Sequence, residues 1–141
     1  MKKVIKSTKK GFTLVELIVV LVVLAILAAM LVPALTGYIK RARQEKDYQF
    51  AATVLTAAQS AATYQFSLAK GDRSSTIKET TNAGGQSGGV TVADLVGVAS
   101  TQKSWTCKFN VNSNYVITDG SVFIGDVEYK WDGQNWTAKE S

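Results

Sequence analysis

Apolar and polar positions follow three different patterns along this chain. From Phe12 to Leu35, 24 residues, only Thr13, Glu16 and Pro33 interrupt the apolar character, and Leu17 to Val32 is an unbroken run of 16. At 1.5 Å per residue this stretch makes a helix of about 36 Å, enough to cross a hydrocarbon core of about 30 Å. From Tyr38 to Leu68 there is no Gly or Pro, and the pattern becomes one-sided. Phe50, Val54, Ala57, Ala61 and Leu68 recur at helical spacing, and Ala51, Leu55, Ala58, Ala62 and Phe66 widen the stripe. The two patterns together predict one helix from Phe12 to about Leu68, roughly 85 Å long.

Gly71 is expected to end that helix, and the Gly, Ser and Thr-rich stretch to Gly89 reads as a connecting surface loop. Thr91 followed by Asp94 reads as an N-cap with an acid in the first turn, opening a short helix to about Val98. Beyond it the period becomes two. Trp105, Cys107, Phe109 and Val111 share one face, with Thr106, Lys108 and Asn110 on the other. Runs at Tyr115 to Thr118, Ser121 to Ile124, Val127 to Trp131 and Asn135 to Ala138 follow, separated by turns such as Asp119-Gly120, Gly125-Asp126 and Asp132-Gly133. These predict an antiparallel meander. Its apolar face needs a cover, and the helix stripe is the available one. The expected fold class is α+β: a long N-terminal helix packed against a small C-terminal antiparallel sheet. The expected divisions are 1–11, a basic N-terminal segment; 12–35, the membrane half of the helix; 36–68, its amphipathic half; and 69–141, a globular head.

Composition narrows the chemistry. There is no His in the 141 residues and a single Cys, which excludes His-based triads, a CxxC motif and an internal disulfide. Nothing else favours an enzyme, and no cofactor is expected. The formal charge of +5 looks like a signal for nucleic acid until its position is read. Lys2, Lys3, Lys6, Lys9 and Lys10 precede every acid, and the remaining 11 bases are matched by 11 acids. A neutral body gives no support for a phosphate-binding module. The leader lysines instead supply the positive-inside bias that holds the N-terminus in the cytoplasm and sends the body across the membrane.

Three fates remain open for such an N-terminus. A secretory signal peptide needs an Ala-x-Ala-like site, and Val32-Pro33-Ala34 imitates one poorly. A lipoprotein needs a Cys just after the apolar run, whereas the Cys is at 107. An uncleaved anchor fits hydropathy alone.

The junction Lys9-Lys10-Gly11-Phe12-Thr13-Leu14-Val15-Glu16-Leu17 carries a sharper signal. It resembles the type IV pilin and pseudopilin signature, a basic leader ending in Gly and then Phe-Thr-Leu-x-Glu opening an apolar helix. The resemblance covers roughly residues 1 to 40 and includes Pro33 at the position of the family's helix-bending proline. It implies cleavage between Gly11 and Phe12 by a membrane-embedded prepilin peptidase, N-methylation of Phe12, and assembly into a filament through the retained apolar helix. The implied role of Glu16 is to pair with the new amino terminus of its own or a neighbouring subunit and so set the register. Implied partners are further copies of the chain, the peptidase and the pilus assembly machinery. The implied location is the cytoplasmic membrane first and the cell-surface pilus afterwards. A pseudopilin of a secretion or DNA-uptake system would use the same N-terminal chemistry.

Residue chemistry gives each position a reading of its own. Gly11 allows close approach to the backbone. Thr13 and Glu16 have the spacing of a capping box. An unpaired carboxylate at Glu16, inside the apolar stretch, costs about 2.5 to 3.5 kcal/mol in lipid and asks for a partner. Pro33 removes an N–H and should kink or open the helix near Ala29. Lys40, Arg41 and Arg43, with Glu45 and Asp47, read as a solvated face. Trp105, Trp131, Trp136 and Cys107 read as core rather than as a binding surface or reactive thiol. Many members of the family close their C-terminal loop with a disulfide, which one Cys does not allow. Asp119, Asp126, Glu128 and Asp132 match no calcium-loop spacing, so no metal is expected.

Overall fold

The computed structural model describes residues 11–85, 89–97 and 104–140. It forms two compact units, Met1–Ala42 and Arg43–Ser141, and helix α1, Leu14–Ser67, contributes to both. In the first unit every described residue is exposed, including the whole apolar run. Such a surface is stable only when something other than water covers it.

The second unit has its own core. The part of α1 beyond Arg43 buries Ala51, Val54, Ala57, Ala58, Ala61, Ala62 and Gln65. Five of those seven are alanines, so the buried face of the helix presents mostly small side chains. A 3₁₀ turn at Lys70–Asp72 leads to β1, Thr76–Lys78, and then to a two-stranded ribbon of β2, Asn82–Gly84, and β3, Val90–Thr91. Helix α2, Val92–Val96, opens with a complete capping box between Thr91 and Asp94. The strands β4, Trp105–Val111, β5, Ile117–Ile124, β6, Val127–Trp131, and β7, Trp136–Glu140, then form a meander. With β1 added they make an antiparallel sheet in the order β1-β4-β5-β6-β7. Ile77, Cys107, Phe109, Val122, Ile124 and Tyr129 line its inner face and close one apolar core with the alanine stripe of α1.

Several features differ from the expectation. The stretch from Gly71 to Gly89 is not simply a loop, because β1 and β2 lie in it. Ile77 is fully buried and registers opposite Phe109, and that contact makes an edge strand of a three-residue segment. Asp119-Gly120 is not a turn but lies inside β5. Gly120 stands opposite Phe109, where a Cβ would come within 2.3 Å of the ring and 2.5 Å of the Lys108 carbonyl. Glycine is there for close approach rather than for chain reversal. The reversal happens earlier, where Tyr115 takes φ of 59° and the Asn112 side chain accepts from the N–H groups of Asn114 and Val116. The last strand starts at Trp136 rather than Asn135 and runs on to Glu140. On α1, Phe66 is exposed and the stripe is completed by Gln65. The helix ends at Ser67, before Gly71, and the Arg73 guanidinium donates to the Leu68 carbonyl just beyond it. Helix α2 stops at Val96, with Gly97 in a left-handed conformation, and the expected end at Val98 lies outside the described residues.

Two glutamine side chains tie the head together as backbone would. Gln59 donates to the Tyr115 carbonyl at 3.1 Å and accepts from the Ile117 N–H at 3.0 Å. Gln65 donates to the Asn82 carbonyl at 2.9 Å and accepts from the Ser74 N–H at 3.0 Å. Each primary amide thus satisfies one orphan donor and one orphan acceptor. The buried Tyr129 hydroxyl donates to Asp47 at 3.0 Å, and its ring meets Tyr48 edge-on. The three tryptophans are half-buried against the core, with Trp105 on Phe50 and Trp131 on Trp136. Cys107 is a buried free thiol, and burial, reinforced by the nearby Glu79 carboxylate, pushes its pKa up to about 12. Such a thiol is an inert small core residue.

Candidate functional site at the start of the apolar helix

The site lies where extended chain turns into helix. Gly11, Phe12 and Thr13 precede the first helical residue, Leu14. The Glu16 N–H donates to Thr13 Oγ1 at 3.3 Å, and the Thr13 N–H donates to Glu16 Oε2 at 3.0 Å. Two donors that a helix start leaves unsatisfied are thereby paired reciprocally. The carboxylate also lies in the first turn, where the helix dipole favours negative charge. Thus the capping reading of Glu16 holds. It does not exhaust the group, because a carboxylate offers two oxygens and about four lone-pair directions and the cap uses only Oε2.

Phe12 is 83 % exposed and Gly11 is also exposed. No atom lies within 4 Å of where a Cβ on Gly11 would sit, so the fold of this chain does not itself require glycine there. What Gly11 provides is an unshielded peptide bond on an accessible strand of chain.

Further along, α1 runs without a break through Pro33. Proline has no N–H to give the Ala29 carbonyl, which loses its partner four residues on. Thr36 Oγ1 donates to the Val32 carbonyl at 2.8 Å, a side-chain bond of the kind that bends helices slightly. Lys40, Arg41 and Arg43 are exposed at the end of the apolar run. The four acids weighed as calcium ligands have structural work or stay apart. Asp119 accepts from Asn110 and Thr118, Glu128 from Ser121, and Asp132 from the N–H groups of Gln134 and Asn135. Asp126 is exposed in the β5–β6 turn.

Residues 6–32 match the family model described as the prokaryotic N-terminal methylation motif. This is the type IV pilin and prepilin signature, and it covers the leader lysines Lys6, Lys9 and Lys10, the Gly11-Phe12 junction, Glu16 and most of the apolar run. Comparisons with curated proteins and with solved structures gave no match. The chain therefore carries the N-terminal signature of prepilin peptidase substrates, together with a long apolar helix fit for a membrane.

Proposed function

We propose that the protein is the structural subunit of a type IV pilus-like filament. It is inserted in the cytoplasmic membrane with its N-terminus inside, cleaved between Gly11 and Phe12, methylated on Phe12, and polymerised through residues 12–35. The observation that carries this reading is the apolar run from Phe12 to Leu35, exposed along its whole length and opened by a single carboxylate at Glu16. Lipid covers such a surface before assembly, and copies of the same helix cover it afterwards.

The chemistry follows from what cleavage changes. Removing residues 1–11 takes away five lysines and turns the Phe12 amide into a cationic amine four residues from Glu16. In a low-dielectric filament core that amine and a Glu16 carboxylate satisfy each other, whereas a shift of one subunit strands both charges. The pairing sets register more than it adds stability. Pro33 loosens the helix beyond the paired end and lets it adapt to its neighbours.

The test is intact mass and N-terminal peptide analysis of the protein from its native membrane. A chain beginning at methylated Phe12 supports the reading. Retention of Met1 to Gly11 in cells with active prepilin peptidase would overturn it and leave an uncleaved membrane-anchored domain. The same processing serves pseudopilins of secretion and DNA-uptake systems, and imaging of long surface filaments against short envelope-confined ones separates the two.

A further inference from the structure

The outer face of the sheet sets two like charges against each other. Lys78 on β1 and Lys108 on β4 are direct cross-strand partners, and both are exposed. Directly opposed residues of an antiparallel pair have Cβ atoms about 4.5 to 5.5 Å apart, and like charges there are destabilising. Neither ammonium group has an ion-pair or hydrogen-bond partner among the described residues. The two lysines line one polar groove together with Ser75, Thr76 and Thr80. Asp72 lines it too, leaving the groove with one net positive charge. A second shallow groove shares Lys108 and reaches Lys130, which registers opposite Ser121, the β5 partner of Lys108, and Asp119 and Glu128 line it as well and balance its two lysines. The polar trough therefore crosses β1, β4, β5 and β6.

We infer that Lys78 and Lys108 form a binding site for a tetrahedral oxyanion of the phosphate or sulfate type. The anion sits between the two ammonium groups, takes one charge-assisted hydrogen bond from each, and accepts from the neighbouring hydroxyls. The repulsion in the empty site becomes shared attraction when it is filled. Two sources carry this chemistry, the free ion and an esterified group on a longer chain. For the second, Lys130 lies further along the trough, where it shares the groove with Asp119 and Glu128.

The full chain in a nonionic detergent is melted in chloride and then in inorganic phosphate or sulfate at equal ionic strength. Phosphate or sulfate should raise the melting temperature beyond chloride, and Lys78→Gln or Lys108→Gln should weaken binding about tenfold, the loss of one charge-assisted hydrogen bond. Each variant should also melt higher than the wild type in chloride, because the repulsion is gone. Lys139→Gln, on the same face but outside both grooves, should leave binding unchanged. A short oligothymidylate provides the esterified source: tighter binding than the free ion, weakened by Lys130→Gln, assigns the site to a phosphodiester chain, and equal or weaker binding assigns it to the free ion. Three results overturn the inference: no effect beyond chloride, an effect that survives in the Lys78→Gln/Lys108→Gln double variant, or equal binding of a carboxylate polymer of matched charge density.

Discussion

The two halves of α1 are equally helical, but the first is apolar on every face and the second on one, and they meet opposite fates. Between Leu14 and Leu35 its side chains stay exposed on every side, whereas from Ala51 to Gln65 one stripe is buried against strands of the same chain. The second half is satisfied by its own sequence. The first half states a requirement that only other molecules meet. Helix formation is common to both, so helix propensity does not decide function here; the number of faces that are apolar does.

The comparison breaks most sharply at Glu16. Glu16→Ala should leave peptidase cleavage and the melting of the head unchanged while abolishing incorporation into filaments beside wild-type subunits, scored by immunoblot of sheared filaments. Normal incorporation would reduce Glu16 to the capping role its bonds to Thr13 already describe.

The converse damage belongs to the head. Phe109 is fully buried, and Phe109→Ala should cost about 3 to 5 kcal/mol in urea unfolding of the head. Gly120→Ala attacks the same contact by crowding and should cost about 1 to 3 kcal/mol. Membrane insertion and cleavage at Gly11 should be unaffected in both. A cleavage defect in either variant would show that the head contributes to processing at Gly11.

Gln59→Ala tests what holds the chain together where no disulfide is possible. It leaves the Ile117 N–H and the Tyr115 carbonyl without the partner that bridges them, for a loss of about 1 to 3 kcal/mol. Gln59→Glu, which keeps the acceptor and loses the donor, should fall between the two. Equal stability of all three would mean that water replaces the amide at no cost.

How much of this was legible depended on how many residues shared each signal. The Thr13–Glu16 capping box, the Thr91 N-cap with Asp94 in the first turn, and the inward placement of Cys107 and Phe109 follow from spacing alone. Strand β1 was illegible because its one buried residue, Ile77, offers a single apolar position and no alternation to read. Missing β1 also hid the opposition of Lys78 and Lys108, which exists only in the register. Asp119-Gly120 misled because glycine serves both turns and close approach, and only the facing Phe109 ring decides between them. Gln65 did leave a trace, a polar residue at the next step of the stripe Val54, Ala58, Ala61. A buried amide on an apolar stripe implies backbone groups to satisfy.

The smallest expected effect concerns alkali and separates the halves once more. Burial and the bond to Asp47 raise the pKa of Tyr129 well above its ordinary value near 10, and burial raises that of Cys107 from 9.0 to about 12. Both groups are neutral when protonated, and the folded state holds those protons more tightly than the unfolded chain. Their contribution to stability is therefore complete below about pH 9 and declines as pH rises, first through Cys107 and then, above about pH 10, through Tyr129. Urea unfolding followed by tryptophan fluorescence should show a head that weakens from about pH 9 upward. Tyr129→Phe should lose about 1 kcal/mol at neutral pH through the missing bond to Asp47. It should in return flatten the decline above pH 10, because phenylalanine has no proton to release. An unchanged alkaline slope in Tyr129→Phe would assign the decline to other groups and leave the tyrosine with packing alone. Helicity of residues 14–35 in detergent should not move across the same range, since that segment contains neither tyrosine nor cysteine.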